Sequence, residues 1–381
     1  MSLSKPLMRK VGAACLVAGL FMTGPVSASD VPVLTFAGYS IAPDQVAGDT
    51  DRFGGISGLD YDPSTGLFWA ISDARNVGGQ GAVRGYRLRL VPGGPGAYSV
   101  TDIVRFDLPG AAAGAGFAPN AASPEGIRGL AGGYYWASEG ECGVSQPTLW
   151  HVAANAKTSE PVPIRPEYHY AAGCKRKPEA GLAGAADNGA LESLAISEDG
   201  ATLLYANEFP LLQDPADGPE RAVRITVRSL KEAGAPVRQY AYRVAAPFAL
   251  TELLAIGGAR FLALQRYYVR QSNATVARLA LIDLAGATDI ALVGVAPIPP
   301  QARAVQEVAE LLSLNASRAS NPDANLFGSG APIDNLEGMA LGCIGSEPML
   351  VLAADDNFAK FGPQKNLFLM FKISGTALTC G

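Results

Sequence analysis

The sequence predicts an all-β fold, a single β-propeller of about five blades, and three observations predict it. Five hairpin-like stretches with matching polar residues recur along the chain. Further strand-like runs follow them, so that each repeat holds about four strands, the content of one blade. The composition of the 381 residues, with 44 Gly, 48% hydrophobic and only 17% charged, suits short strands joined by tight turns and argues against disorder. A pair of β-sandwiches or another all-β arrangement is the alternative.

The chain begins with a basic segment (Lys5, Arg9, Lys10), an apolar run from Val11 to Met22 and the small-residue site Val26-Ser27-Ala28, the pattern of a signal peptide over residues 1–28. An uncleaved anchor is the rival, but the run is shorter than the roughly 20 residues that a spanning helix needs. Gly12, not Leu, stands three residues before Cys15, which speaks against a lipidated cysteine. The mature domain, residues 31–381, is therefore expected to be periplasmic or secreted, with no membrane attachment after cleavage. Without the leader the balance is 27 basic against 35 acidic residues, an unfavourable charge for nucleic acid. Four cysteines remain, and an even number in an oxidising compartment suggests two disulfides. Cys142–Cys174 and Cys343–Cys380 are favoured of the three pairings, because each would close a loop within one repeat.

In chain order, Val33 to Ile41 is a strand without a blade of its own. The hairpins are Ile56 to Asp73, Pro124 to Glu141, Asn188 to Glu208, Thr251 to Arg266 and Leu336 to Asn357. Aligned on Ser57, Glu125, Glu192, Glu252 and Glu337, they step by 68, 67, 60 and 85 residues. Strands are also expected at Val83–Leu90, Tyr98–Leu108, Val223–Leu230, Val237–Val244, Val276–Leu284, Asp289–Val295 and Asn366–Ile373. A short helix is expected over Ala304–Leu314, with a loop from Asn315 to Pro332. The last repeat is one strand short, and Val33–Ile41 would complete it and close the ring. Six blades would require a degenerate blade within the 85-residue step.

In an antiparallel hairpin the start of the first strand and the end of the second lie at one end of the sheet. The strand-start acids Glu125, Glu192, Glu252 and Glu337 should therefore crowd with the strand-end acids Asp73, Glu139, Glu141, Glu208, Asp355 and Asp356 around one channel mouth. Such carboxylates need neutralising. Arg266 occupies a strand end itself, and Arg52, Arg75 or Arg128 could fold inward. A hard cation such as Ca²⁺, which takes six to eight oxygen ligands, is the other candidate. Glu125, Glu139, Glu192, Glu252, Glu337, Asp355 and Asp356 form the candidate ligand set. Each glutamate could instead bond backbone amides of the neighbouring blade and serve the architecture alone.

The stretches GGISGLDYDPSTGLFWAISDAR, SPEGI with WASEGE, LESLAISEDGATLLYANEF, TELLAI with RFLALQR, and NLEGMAL with LVLAADDN together resemble the phytase-like family of exported bacterial proteins, "esterase-like activity of phytase". The resemblance runs from about Phe53 to Ile373. It implies a propeller and a phosphoester or ester hydrolase activity, without defining catalytic residues.

Three functions are open. The first is a Ca²⁺-assisted phosphomonoesterase, with Glu208, Asp355 and Arg266 at the reaction centre and Arg75, Arg128 and Arg266 on a small-molecule phosphoester. The Lys175-Arg176-Lys177 triplet is a further basic candidate or a solvated loop. The second is a serine esterase, disfavoured because Gly55-Ile56-Ser57-Gly58 falls one residue short of G-x-S-x-G and only His151 and His169 could act as base. The third is a non-catalytic propeller that binds a ligand or cell-envelope partner. No P-loop, dinucleotide fingerprint or H-E-x-x-H occurs, so no nucleotide or organic cofactor is expected. A closed propeller needs no partner to bury its edges, so a monomer is expected.

Overall fold

The computed structural model describes residues 31–177, 181–214, 216, 218–232, 234–269, 274–317 and 333–380. The leader expected over residues 1–28 lies outside the described residues, as do positions 318–332 of the loop expected over Asn315–Pro332. Among the described residues, twenty strands form five antiparallel blades of four. Blade 1 holds β2 (Ile56–Asp62), β3 (Leu67–Ser72), β4 (Arg84–Gly94) and β5 (Gly96–Asp107). Blade 2 holds β6 (Pro124–Leu130), β7 (Gly133–Ser138), β8 (Thr148–Ala153) and β9 (Glu160–Val162). Blade 3 holds β10 (Leu191–Ile196), β11 (Thr202–Asn207), β12 (Glu220–Ser229) and β13 (Arg238–Ala245). Blade 4 holds β14 (Ala249–Gly257), β15 (Arg260–Val269), β16 (Ala274–Asp283) and β17 (Gln306–Ser317).

Blade 5 combines β18 (Leu336–Ile344), β19 (Glu347–Ala354) and β20 (Leu367–Ser374) with the N-terminal strand β1 (Val33–Ile41). β1 runs antiparallel to β20 from Val33↔Ser374 to Ile41↔Leu367. It also touches β5 in parallel at Gly38↔Gly96 and Tyr39↔Ala97, which joins blades 5 and 1 into one eight-stranded sheet. The first strand of the domain thus closes the ring as its last.

Alternate residues of a strand face opposite sides of the sheet, and each blade uses both sides. In β19, Leu350, Leu352 and Ala354 pack toward blade 4, whereas Met349, Val351 and Ala353 pack toward blade 1. In β15, Leu262 and Leu264 face blade 5, and Phe261 and Ala263 face blade 3. The five largest apolar clusters are the five blade–blade interfaces in turn. There is no single central core. The cohesion of the ring resides between neighbouring blades.

Two sequence expectations fail in blade 4. Ala304–Leu314 is not a helix but most of β17, paired with β16 through a register that slips at Leu279/Ala280 and Leu281/Ile282. The helical spacing of its apolar residues loses to the ladder that completes the blade. Asp289–Val295 is not a strand: the segment turns through a short 3-10 stretch at Ala291–Val293, with the Asp289 carboxylate accepting the amides of Gln239 and Ala291. The long fourth step therefore holds an extended β16–β17 connection, and the ring has five blades.

Both disulfides pair as expected, Cys142–Cys174 and Cys343–Cys380. The second ties the C-terminal segment to β18. The first joins the loop after β7 to the long segment between β9 and β10, which carries Tyr170. No helix among the described residues is long and apolar enough to cross a membrane.

Candidate active site at the acidic mouth

Each inner strand begins with the same irregularity. The ladder skips one residue between Ile56 and Gly58, Leu191 and Ser193, Leu250 and Glu252, and Leu336 and Gly338. In β6 the skip covers Glu125 and Gly126. A bulge re-aims its extra side chain, and here it presents Ser57, Glu125, Glu192, Thr251 and Glu337 at the start of each blade. Directly across, the chain leaves the second strand at Asp73, Glu139, Glu208, Arg266 and Asp355. Four of these make one repeated backbone bond at 2.8 Å: Asp73 to Gly55, Glu139 to Ser123, Glu208 to Ala190 and Asp355 to Asn335.

The register corrects the alignment in blade 4, where Thr251 and not Glu252 fills the bulge. Thr251 turns its hydroxyl back onto the Leu264 carbonyl at 3.2 Å. Glu252 instead occupies the following slot, filled elsewhere by Gly58, Gly126, Ser193 and Gly338. Those positions are small because inner strands nearly touch there: a Cβ on Gly58 would lie 2.3 Å from the Glu125 carbonyl, and one on Gly126 would lie 2.8 Å from Leu194 Cβ. Glu252 accepts the amides of Leu194 and Leu253 at 3.1 and 2.9 Å and pairs with Arg128 at 3.0 Å. It ties blades together and stands apart from the mouth.

Arg128 is a correction of the same kind. Its guanidinium is buried, and it donates to the Leu59 carbonyl of blade 1 and the Leu253 carbonyl of blade 4 at 2.6 and 2.7 Å. Blades 2 and 4 are not neighbours, so this arginine spans the central channel, with none of its guanidinium nitrogens bonded to the acidic mouth. Asp356 is also occupied. Arg52 holds its Oδ2 at 2.7 Å, and the amides of Gly55 and Phe358 hold Oδ1 at 2.8 and 3.2 Å. It clamps blade 5 to blade 1 and is not a free ligand.

Ten slots then surround the mouth, and seven carry carboxylates: Asp73, Glu125, Glu139, Glu192, Glu208, Glu337 and Asp355. Arg266 carries the only opposite charge in these slots. It pairs with Glu337 and lies 3.6 Å from Glu208. Arg75 reaches in from the loop after β3, 3.9 Å from Glu139 and 2.9 Å from Glu141. Six of the seven acids are under a tenth exposed. Burial first, and neighbouring carboxylates with it, hold Glu125, Glu192 and Asp355 well above the usual carboxylate range. Burial raises Glu139 and pushes Glu208 and Asp73 up to about 7, with Arg266 and Arg75 respectively pulling the other way.

Glu125, Glu139 and Glu192 form the tightest group, each offering an oxygen within 4.8 Å of the others'. Ser123 donates to Glu125 at 2.9 Å and the Ala190 amide to Glu139 at 3.1 Å. Glu192 accepts no hydrogen bond among the described residues. Glu337 and Asp355 share Asn335, at 2.9 and 3.3 Å, and the Asn357 amide holds Asp355 at 2.7 Å.

Asp73 lies at the mouth as its strand-end position predicts, and its carboxylate accepts no hydrogen bond among the described residues. One mouth residue escapes sequence reasoning. Tyr170 lies on the disulfide-tied loop, its phenol raised by burial and by Glu139 and Asp187 beside it. No repeat position announces it. Of the remaining candidates, Arg176 is exposed and bonded to Asp187 at 2.8 Å. His151 stacks on Tyr135 at 4.5 Å and His169 is exposed on its loop. The buried Ser57 hydroxyl has no partner, so among the described residues it is not paired with a histidine.

Several solved propellers are similar to this chain at low scores. They include a Dos1 propeller (8% identity, 86% of this chain and 68% of that one, TM-score 0.32). The periplasmic gluconolactonase PpgL of Pseudomonas aeruginosa matches with 11% identity, 90% and 99% coverage and a TM-score of 0.30. The Cps50 (Swd1) propeller domain of Myceliophteria thermophila matches with 10%, 86% and 100%, and 0.37. Scores of this size carry no functional information. No curated protein matches the chain significantly. Residues 51–358, which contain every mouth residue described above, match the model of the phytase-like family, "Esterase-like activity of phytase", and the chain belongs to that family.

Proposed function

We propose that the protein is an exported hydrolase that cleaves a phosphomonoester at the acidic mouth with the help of a divalent cation, Ca²⁺ being the first candidate. The observation that carries this reading is the Glu125–Glu139–Glu192 triad, three buried carboxylates within 4.8 Å of one another, one of them without a hydrogen-bond donor. The nearest guanidinium is Arg75, 3.9 Å from Glu139. Fully ionised, the group sets three negative charges against that one guanidinium, and oxygen-only donors suit a hard cation. A cation held by these three residues would supply Lewis-acid stabilisation and draw an anionic substrate into a mouth that otherwise repels it.

The chain's own residues supply the rest. Arg266, held between Glu208 and Glu337, and Arg75 are the two guanidinium groups able to face phosphate oxygens. Asp355 is oriented by Asn335 and the Asn357 amide, which sets it to orient the attacking water and, in its ionised form, to take that water's proton. The two disulfides and the leader pattern support export, and a ring closed by its own first strand supports a monomer.

The test is phosphate release from phytate and p-nitrophenyl phosphate by the mature protein, with Ca²⁺ and then with EGTA. Release that needs Ca²⁺ and falls at least 100-fold in Glu192→Gln and Arg266→Ala is expected. Folded protein that binds Ca²⁺ but releases no phosphate would replace this reading with a non-catalytic binding propeller.

A further inference from the structure

Of the seven mouth carboxylates, five are held by a donor or a counter-charge: Glu125 by Ser123, Glu139 by the Ala190 amide, Glu208 and Glu337 by Arg266, and Asp355 by Asn335 and the Asn357 amide. Three accept no hydrogen bond among the described residues, Glu208, Glu192 and Asp73, and of these Glu208 has the Arg266 guanidinium as its ion-pair partner at 3.6 Å. Glu192 belongs to the triad. Asp73 does not, and its surroundings differ. Its Oδ1 is shut from water without a partner, while the residue as a whole stays half-buried. With Oδ1 shut away, Oδ2 is the oxygen left to meet the channel.

An apolar wall backs the buried oxygen. A Cβ added to Gly55 would lie 2.2 Å from Asp73 Oδ1 and 2.6 Å from the edge of the Phe358 ring, so the carboxyl and the ring crowd the same point beside Gly55. Gly55 is left-handed (φ +64), which together with this crowding leaves room only for glycine. Phe358 is delivered by three successive left-handed residues, Asn357, Phe358 and Ala359, with φ of 47, 50 and 59. Non-glycine residues pay on the order of 1 kcal/mol each for that conformation. The cost is borne where the Asp356 carboxylate accepts the Phe358 amide and the Arg84 guanidinium lies over the ring at 5.8 Å. A strained turn that persists beside a cluster of acids points to a role for what it presses on.

We propose that Asp73 is the general acid of this site, its unpartnered carboxyl set beside Phe358 at the mouth so that it can hand a proton to the leaving oxygen of the ester. This rests on the hydrolase reading above. The groups around it are Arg75 on its own loop, Arg84 from β4, Glu125 from β6, Glu337 from β18, and Asp355 and Asp356 after β19. Four of these six are acids, which disfavours a second charge at Asp73. In the step, the water oxygen bonds to phosphorus as the bond from phosphorus to the leaving oxygen breaks. The Asp73 proton goes to that oxygen, giving the alcohol. One of the water's protons replaces it by way of a neighbouring carboxylate, so one water is consumed and the acid is restored.

A general acid matters in proportion to how poor the leaving group is. Turnover of glycerol phosphate and of p-nitrophenyl phosphate is compared in the unaltered protein and in Asp73→Asn, which keeps the shape of the neutral carboxyl. A loss of about 10²–10⁴-fold on glycerol phosphate, with p-nitrophenyl phosphate changed only a few-fold, is the expected result. Parallel losses on both substrates, with an unchanged melting temperature, would overturn the assignment while leaving the hydrolase reading intact. Failure of the unaltered protein on both would remove the hydrolase reading and this one with it. Phe358→Ala serves as the second variant: leaving the carboxyl atoms in place, it should reproduce the selective loss on glycerol phosphate in weaker form, and no selective loss would count against Asp73.

Discussion

Calcium and pH should act against each other on the stability of this propeller, and the sign follows from the mouth. Each raised carboxyl has a folded pKa above its unfolded value. Its contribution to stability is complete below about pH 4 and is lost as pH climbs through the folded value. For Glu208, raised from 4.5 to about 7 and 4% exposed, the window spans that interval, and the loss at its end is about 3 kcal/mol. Glu125, Glu192 and Asp355, also held well above the usual carboxylate range by burial and by neighbouring carboxylates, add to the loss in the same direction. A cation on the triad reverses the trend, because it binds the ionised form. At 100 times its dissociation constant it stabilises by about 2.7 kcal/mol. For a domain of this size that corresponds to a melting shift of about 4 °C. Differential scanning calorimetry in EGTA should show the melting temperature falling from pH 5 to pH 7.5. Calcium should restore about 4 °C at pH 7.5 and little at pH 5. The decisive variant is Glu192→Gln, which in EGTA at pH 7.5 should raise the melting temperature, since it removes a charge that nothing pairs, and should abolish the calcium response. A lower melting temperature for Glu192→Gln in EGTA, or an equal calcium shift at both pH values, would refute the reasoning.

Two further outcomes are expected from the architecture. Arg128→Leu and Glu252→Gln should each destabilise by about 3–5 kcal/mol, because each leaves a buried partner uncompensated; the double variant in urea should cost clearly less than the sum. Gly126→Val should lower the urea midpoint more than Gly116→Val, whose added Cβ meets nothing within 4 Å, because at Gly126 it would press into Leu194 and the Glu192 carbonyl.

Much of this organisation is legible before any coordinates. Hairpin direction alone places Glu125 and Glu192 beside Glu139 and Glu208, because antiparallel pairing fixes which ends share an edge. The missing fourth strand of the last repeat points to Val33–Ile41, since an open edge in a ring has to be filled. What escapes is what depends on one residue of register. Glu252 reads as the fourth repeat of a strand-start acid, yet Thr251 holds that place. The signal was present in the residue that follows: Gly58, Gly126, Ser193 and Gly338 are small, and Glu252 breaks a small-residue column, not an acidic one. Arg128 is illegible for a different reason. Its partners, Leu59 and Leu253, lie on two other blades, and no local pattern reports contacts across the channel. The helix expected over Ala304–Leu314 failed because amphipathic spacing describes a segment alone, whereas β17 exists to finish a blade.

The repeat supplies positions, and its interruptions supply chemistry. Five identical blades would set ten identical carboxylates around the mouth, a ring that could hold cations but could not tell one side from another. This chain replaces three of the ten. Ser57 and Thr251 remove charge from two of the strand starts, and Arg266 inverts it on a strand end, so that Glu208 and Glu337 are neutralised by a neighbour while Glu125, Glu139 and Glu192 are left to a cation. The same loss at Ser57 leaves Asp73 without an acid opposite it in its own blade, and Phe358 fills in beside it. A cation site, an anion-facing guanidinium and a carboxyl against an aromatic wall thus arise on one pseudo-symmetric scaffold. Each sits where the sequence departs from its own repeat, so the substitutions most damaging to activity should be those that restore the symmetry. Ser57→Glu and Arg266→Glu each complete the ring, and each should abolish turnover while the fold survives.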